Sequence, residues 1–253
     1  MSKSFSSSFP NSLFKKCSVS LILGLEFSAL MLLLGNGGNV PWLPPVVVFS
    51  VIGFFLVSSF LFPFIWHFLE RKKTINSEKI YDVLYGVIRY CLAFNLASFG
   101  WKKFYGLQFV VPEEVSSMPM KQQTGEWLTW FYFGYSHTYG ILIASIQIIG
   151  GSLLLFRRTL LTGALLLFPV LFNLTLINIF YEMNAGALLQ SVLLTIGVLF
   201  FILLDYKRLV AFFFETESFL PSGYLNGFVK NCIRFSALVL SLLFTIYLTS
   251  LIR

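Results

Sequence analysis

Residues 157–181 read RRTLLTGALLLFPVLFNLTLINIFY, two arginines followed by an uncharged, strongly apolar run that ends at Tyr181. A hydrocarbon core about 30 Å thick takes about 20 helical residues to cross, and only helices or closed barrels satisfy their backbone groups there. The run therefore describes a membrane-spanning helix. Six more stretches of similar character flank it, which places spans at 18–35, 43–69, 79–101, 134–156, 159–181, 187–206 and 230–251. The fold class that follows is all-α, a polytopic transmembrane helical bundle of about seven helices, expected to form a single membrane domain over 1–253.

Composition points the same way. Hydrophobic residues make up 57% of the chain and charged residues 11%, against about 25% charged in a soluble domain. The net charge of +7 does not mark a nucleic-acid binder, because the basic residues flank apolar helices. Thirteen of the eighteen lie on alternate connections: Lys3, Lys15 and Lys16; Arg71, Lys72, Lys73 and Lys79; Arg157 and Arg158; Lys207, Arg208, Lys230 and Arg234. Lys102, Lys103, Lys121 and Arg253 fall on the opposite side, and Arg89 lies inside a span. This asymmetry predicts a cytoplasmic N-terminus and an external C-terminus in a bacterial inner membrane. The first run is read as a retained helix and not a cleaved signal. It is long, contains Glu26, and ends in Gly35-Asn36-Gly37-Gly38 without a small-x-small site.

Local signals place the ends. Pro44-Pro45 suits a first helical turn, where a missing N–H matters little, and Pro63 and Pro169 are expected to bend their helices. Trp127, Trp130, Tyr132, Tyr135 and Tyr139 gather at the start of the fourth span, as rings do at a headgroup boundary. Segment 104–123 is too polar to cross and is the expected lid or contact loop on the external side. Phe212-Phe213-Phe214, in the stretch 207–229, is expected to lie along the inner interface.

Arg89 is the costliest residue to place. Near mid-membrane a charged side chain costs about 2.5–3.5 kcal/mol on insertion scales, so it needs a polar partner. Three readings stay open for it: a structural tie between helices, a ligand- or proton-handling group, and a side chain snorkelling to an interface. Glu26 lies at similar depth with opposite charge and is the expected partner. Gln147 is the second candidate, and Asp82, two turns nearer the basic side on the same helix, is too far for direct contact.

On the fourth span His137, Gly140, Ala144, Gln147 and Gly151 recur at steps of three or four, which puts small and polar groups on one stripe. Such a stripe lets a neighbouring helix approach closely, and Gln147 with His137 would line any cavity along it. Asn173, Asn178, Glu182 and Gln190 extend the polarity through the outer half, which suggests a vestibule. With two histidines and three scattered cysteines, Cys17, Cys91 and Cys232, the chain is expected to build no metal centre, no bis-histidine heme site and no dithiol. No P-loop, G-x-S-x-G or H-E-x-x-H pattern marks a stand-alone enzyme.

Two stretches carry a family resemblance. RYCLAFNLASFGWKK over 89–103 is similar to the first core helix of the DoxX-like membrane family, through Arg89, Gly100 and Lys103. QIIGGSLLLFRRT over 147–159 resembles that family's second-helix signature, with Gln147 where a carboxylate is usual. The resemblance covers about 79–206, and implies a four-helix core joined by two additional N-terminal helices within 18–69 and one C-terminal helix at 230–251. It implies an auxiliary membrane protein whose polar pocket around Arg89 binds a lipid, a quinone or another small amphiphile, or a partner helix. Within that expectation Arg89 holds an anionic or carbonyl group, Gln147 and Asn173 orient it, and Lys103 sits at the rim. The alternatives are a membrane subunit of a quinone-linked oxidoreductase, with quinone the conceivable cofactor, and a membrane-protein chaperone or assembly factor.

Overall fold

Apolar side chains point outward around much of this protein while polar ones are sealed inside. In the computed structural model, which describes residues 13–36, 40–215 and 226–252, Phe54, Phe60, Leu142, Ile149 and Phe172 are exposed. Glu26, Asn95 and Lys16 are fully buried. Water would not tolerate that arrangement over so large a surface; lipid does. Lys3, Gly37, Gly38 and Arg253 lie outside the described residues.

Contacts divide the chain into two compact units, Met1–Tyr206 and Lys207–Arg253. The first holds helices α1 (Leu13–Leu34), α2 (Pro45–Arg71), α3 (Ser77–Phe104), α4 (Glu113–Ser116), α5 (Gly125–Tyr135), α6 (His137–Leu154), α7 (Leu160–Phe180) and α8 (Ala185–Leu204). After a five-residue α9 (Tyr206–Val210) and a π-helical turn at Ala211–Glu215, the second holds α10 (Gly227–Ile252). Among the described residues seven helices are long and apolar enough to cross a membrane: α1, α2, α3, α6, α7, α8 and α10. The chain is a multi-pass, all-α membrane protein.

The fourth span departs from its expected bounds. Instead of one helix over 134–156, the chain breaks at Ser136, whose backbone is extended and whose hydroxyl accepts from the Tyr139 N–H at 3.3 Å. That cap starts α6, and the aromatic-rich residues before it form the separate helix α5. Elsewhere caps fall where side-chain oxygens permit: Asn76 accepts from the Glu78 and Lys79 amides to open α3, and Asn184 from the Ala187 amide to open α8. Pro63 and Pro169 lie inside continuous helices.

Helices α3 and α6 make the most extensive pair, running antiparallel. A methyl added at Gly100 would stand 3.0 Å from the Ala144 carbonyl oxygen, and one at Gly151 would stand 3.2 Å from that of Ala93. From Ala144 to Gly151 the stripe on the fourth span is thus a close-packed seam, while an added Cβ at Gly140 would meet nothing within 4 Å and His137 is exposed. Helix α1 packs on α2, α3 and α8, so its Val19 and Ala29 share one core with Ile88, Leu92 and Val198.

Candidate functional site

Arg89 does not meet Glu26. Its Nη2 donates to the Leu155 carbonyl oxygen at 2.6 Å, and Leu155 is the C-cap of α6. A helix C-terminus presents unsatisfied carbonyls and partial negative charge, so a guanidinium is well placed there. Helix α3 extends past the end of the shorter α6, which carries Arg89 to that terminus. Two turns nearer the basic side, Asp82 pairs with Arg157 at 3.4 Å on the exposed surface. The expected Glu26–Arg89 ion pair is therefore corrected: Arg89 clamps the end of α6, while both Glu26 carboxyl oxygens are buried without a hydrogen-bond partner. Replacing Arg89 by Met is expected to cost about 1.5–3 kcal/mol, the worth of a hydrogen bond to a charged group. Combined with Glu26→Gln the two effects should add to within about 0.5 kcal/mol, because the two groups share no partner. Thermal unfolding of the double-mutant cycle in detergent reads this, and a coupling above about 1 kcal/mol would restore the pair.

The interior polar groups belong to other residues. The Gln190 side-chain amide donates to Asn95 Oδ1 at 2.9 Å, and Asn95 Nδ2 donates to the Cys91 carbonyl at 3.0 Å. Thr175 and Thr195 hydroxyls meet at 2.9 Å. Asn178 closes the α7–α8 end by donating to the Ala187 carbonyl and to Ser191 Oγ. All but the Asn95–Cys91 bond, which lies within α3, tie spans together, and Gln190 Oε1 stays buried without a partner. Gln147 is buried on α6 with its Oε1 unpartnered. Asn173 is exposed on α7 and His137 is exposed at the start of α6, so neither joins Gln147 in a chamber. The vestibule expected from Asn173, Asn178 and Gln190 resolves into helix ties and one outward amide.

A second cluster sits at the basic end of the first three helices. Lys16 is fully buried and pairs with Glu70; its Nζ also approaches His67 Nδ1 at 3.4 Å. Ser77 donates to the same carboxylate, and the Trp66 indole donates to Ser77 Oγ at 2.9 Å. Sequence reasoning counted Lys16 as a flanking charge and passed over Glu70. The available signal was their opposite sign at same-side ends of consecutive antiparallel helices.

The cavities lie at the other end, called here the far side. Loop residues 109–123, α5 and the first turn of α6 enclose two adjoining clefts of about 420 and 450 Å³, within the usual size of small-ligand sites. The first is lined by Leu128, Tyr132, Ser136 and Tyr139, the second by Phe109, Met118, Gln123, Trp130 and Gly134; Met120, Phe131 and Tyr135 line both. Helix α5 is anchored below: Gly125 lies on the Tyr181 backbone, and Asn184 Nδ2 donates to Glu126 at 2.8 Å. Phe109 stacks on Phe133 at 5.2 Å between ring centroids. Beneath Phe109 lies Lys103, 5% exposed, with its ammonium 5.7 Å from the centroids of both Phe99 and Phe109. None of the residues predicted to hold a ligand lines a cleft itself: Lys103 lies against Phe109, which lines the second, and His137 follows Ser136, which lines the first.

The chain is 32% identical over 126 residues to a Bacillus subtilis protein described as uncharacterized protein YwoB, a match that covers 49% of this chain and 79% of that one. No family model matches the sequence, and no solved structure matches it. Identity at that level across most of the relative's length means that the chain belongs to the same family as YwoB.

Proposed function

We propose that this multi-pass membrane protein is an auxiliary factor that binds a small amphiphile, a lipid or a quinone, in the far-side aromatic clefts and not around Arg89. The observation that carries the reading is the pair of adjoining clefts whose shared wall is Met120, Phe131 and Tyr135. Apolar rings shape such a site and a few polar groups orient its occupant; here Ser136, Gln123 and the tyrosine hydroxyls supply them. The basic residues on alternate connections support a cytoplasmic N-terminus, which puts the clefts at the external headgroup boundary of a bacterial inner membrane. Arg89, Gly100 and Lys103 on α3, together with the Gly151 seam on α6, support kinship with DoxX-like proteins.

Mass spectrometry of molecules retained after gentle solubilisation tests the reading. The wild-type chain is expected to carry an amphiphile. Phe131→Ala, which truncates the wall of both clefts, should lower its retention about tenfold, the worth of one buried aromatic ring. Equal retention by the two proteins, or none by the wild type, would end it.

A further inference from the structure

We infer that Lys103 is the headgroup-recognition point of the far-side clefts, and that their occupant is a phospholipid of net negative charge; the inference rests on the cleft reading above. Lys16 pairs with Glu70 and Arg157 with Asp82, and Lys103 pairs with neither acid. Its one hydrogen bond, 3.5 Å long, goes to the Phe99 carbonyl of its own helix. An ammonium has three donors, and a buried cation without an anion is expensive to hold. Phe99 and Phe109 offer their ring faces, which compensate only in part. The site is therefore complementary to an anion that it does not itself contain.

The cover over Lys103 is strained. Phe109 has φ of +67°, a conformation that bulky residues rarely adopt. Its carbonyl lies against Gly134, where an added methyl would stand 3.0 Å away. The same ring lines the second cleft, so a swing of Phe109 out of its strained position joins the ammonium to the apolar space. A headgroup phosphate then meets Lys103 while acyl chains lie against Phe131 and Tyr135. Zwitterionic lipids bring their own cation to that spot, and Lys102 on the next residue repels it; an acidic lipid brings none.

Native mass spectrometry of the full-length protein, titrated in a zwitterionic detergent with phosphatidylglycerol, phosphatidylcholine or oleate, decides the matter. The expected result is about tenfold tighter retention of phosphatidylglycerol than of phosphatidylcholine, the size of one charge-assisted hydrogen bond. Lys103→Gln should erase the difference, Lys103→Arg restore it, and Phe109→Gly raise phosphatidylglycerol binding several-fold by removing both strain and cover. Gel-filtration profiles identify any variant that fails to fold, and Lys103→Arg against Phe109→Gly keeps the question answerable in that case. Equal binding of the two phospholipids that falls together in Phe131→Ala overturns the headgroup inference and leaves the clefts standing. Lys103-dependent binding of oleate alone overturns the phospholipid. Retention of none of the three overturns the headgroup inference, and the cleft reading falls with it if the gently solubilised wild-type chain also retains no amphiphile.

Discussion

Gly163→Leu is expected to abolish the folded protein, with a loss of about 3 kcal/mol or more, at the upper end of what overpacking costs. A Cβ at that position would stand 2.9 Å from the Gly150 carbonyl oxygen, 2.9 Å from Leu153 Cβ and 3.1 Å from the Leu154 amide nitrogen. Most of these atoms are backbone of α6, which cannot turn aside as a flexible side-chain tip can. The contact is mutual, because a Cβ at Gly150 would meet Leu167 Cγ at 2.5 Å. Forcing α6 from α7 would also disturb the α3–α6 seam, since Gly150 and Gly151 occupy adjacent faces of one helix. The controls are Gly53→Leu and Gly86→Leu, where an added Cβ meets nothing within 4 Å. Both should be neutral or gain up to about 1 kcal/mol from better helix propensity. Fluorescence-detected gel filtration of the three variants after heating separates these outcomes; a monodisperse Gly163→Leu peak at the wild-type melting temperature would show that the crossing is looser than described.

The seven spans and the seam were legible because they rest on length, hydropathy and periodicity, which are properties of the chain itself. Gly140, Ala144, Gln147 and Gly151 announce a close helix contact from their spacing alone, and that contact is present at Ala144 and Gly151, though not at Gly140, where an added Cβ meets nothing within 4 Å. The partner of Arg89 was not legible in the same way. A search for opposite charge at equal depth returns Glu26, yet the group that receives Arg89 is the Leu155 carbonyl, and every residue has a carbonyl. Only the mismatch between the long α3 and the short α6 makes that one available. The break at Ser136 was hidden because residues 125–135 are as apolar as the span that follows them; a serine cap is visible in sequence but does not outweigh hydropathy. Asn173 shows a third kind of limit. The inward face of α7 runs through Gly163, Leu167, Leu171 and Thr175, and Asn173 lies nearly opposite on the helical wheel. Reading that series for its own period, instead of reading each amide for its polarity, would have turned Asn173 outward.

Glu26→Leu is expected to stabilise the protein by about 1–3 kcal/mol, and Glu26→Lys to prevent its accumulation. Glu26 is 0% exposed, its carboxyl group lies against Gly197 of α8, and neither oxygen has a hydrogen-bond partner. Its expected ion-pair partner, Arg89, is engaged elsewhere, at Leu155. An isolated charge costs far more in such surroundings than a neutral acid does. Even the neutral acid forgoes the hydrogen bonds it would make in water, at about 1–3 kcal/mol, and an apolar group of similar shape removes that penalty. Lysine at the same position adds length against Gly197 and a cation with no acceptor, which a closely packed interior cannot absorb. Thermal unfolding in detergent measures the first variant and expression in membranes the second. A loss of stability in Glu26→Leu would reveal a partner for the carboxyl, an ion or a water. A gain of stability accompanied by loss of the cellular phenotype would instead make the acid functional, kept at the centre of the bundle against its own folding interest.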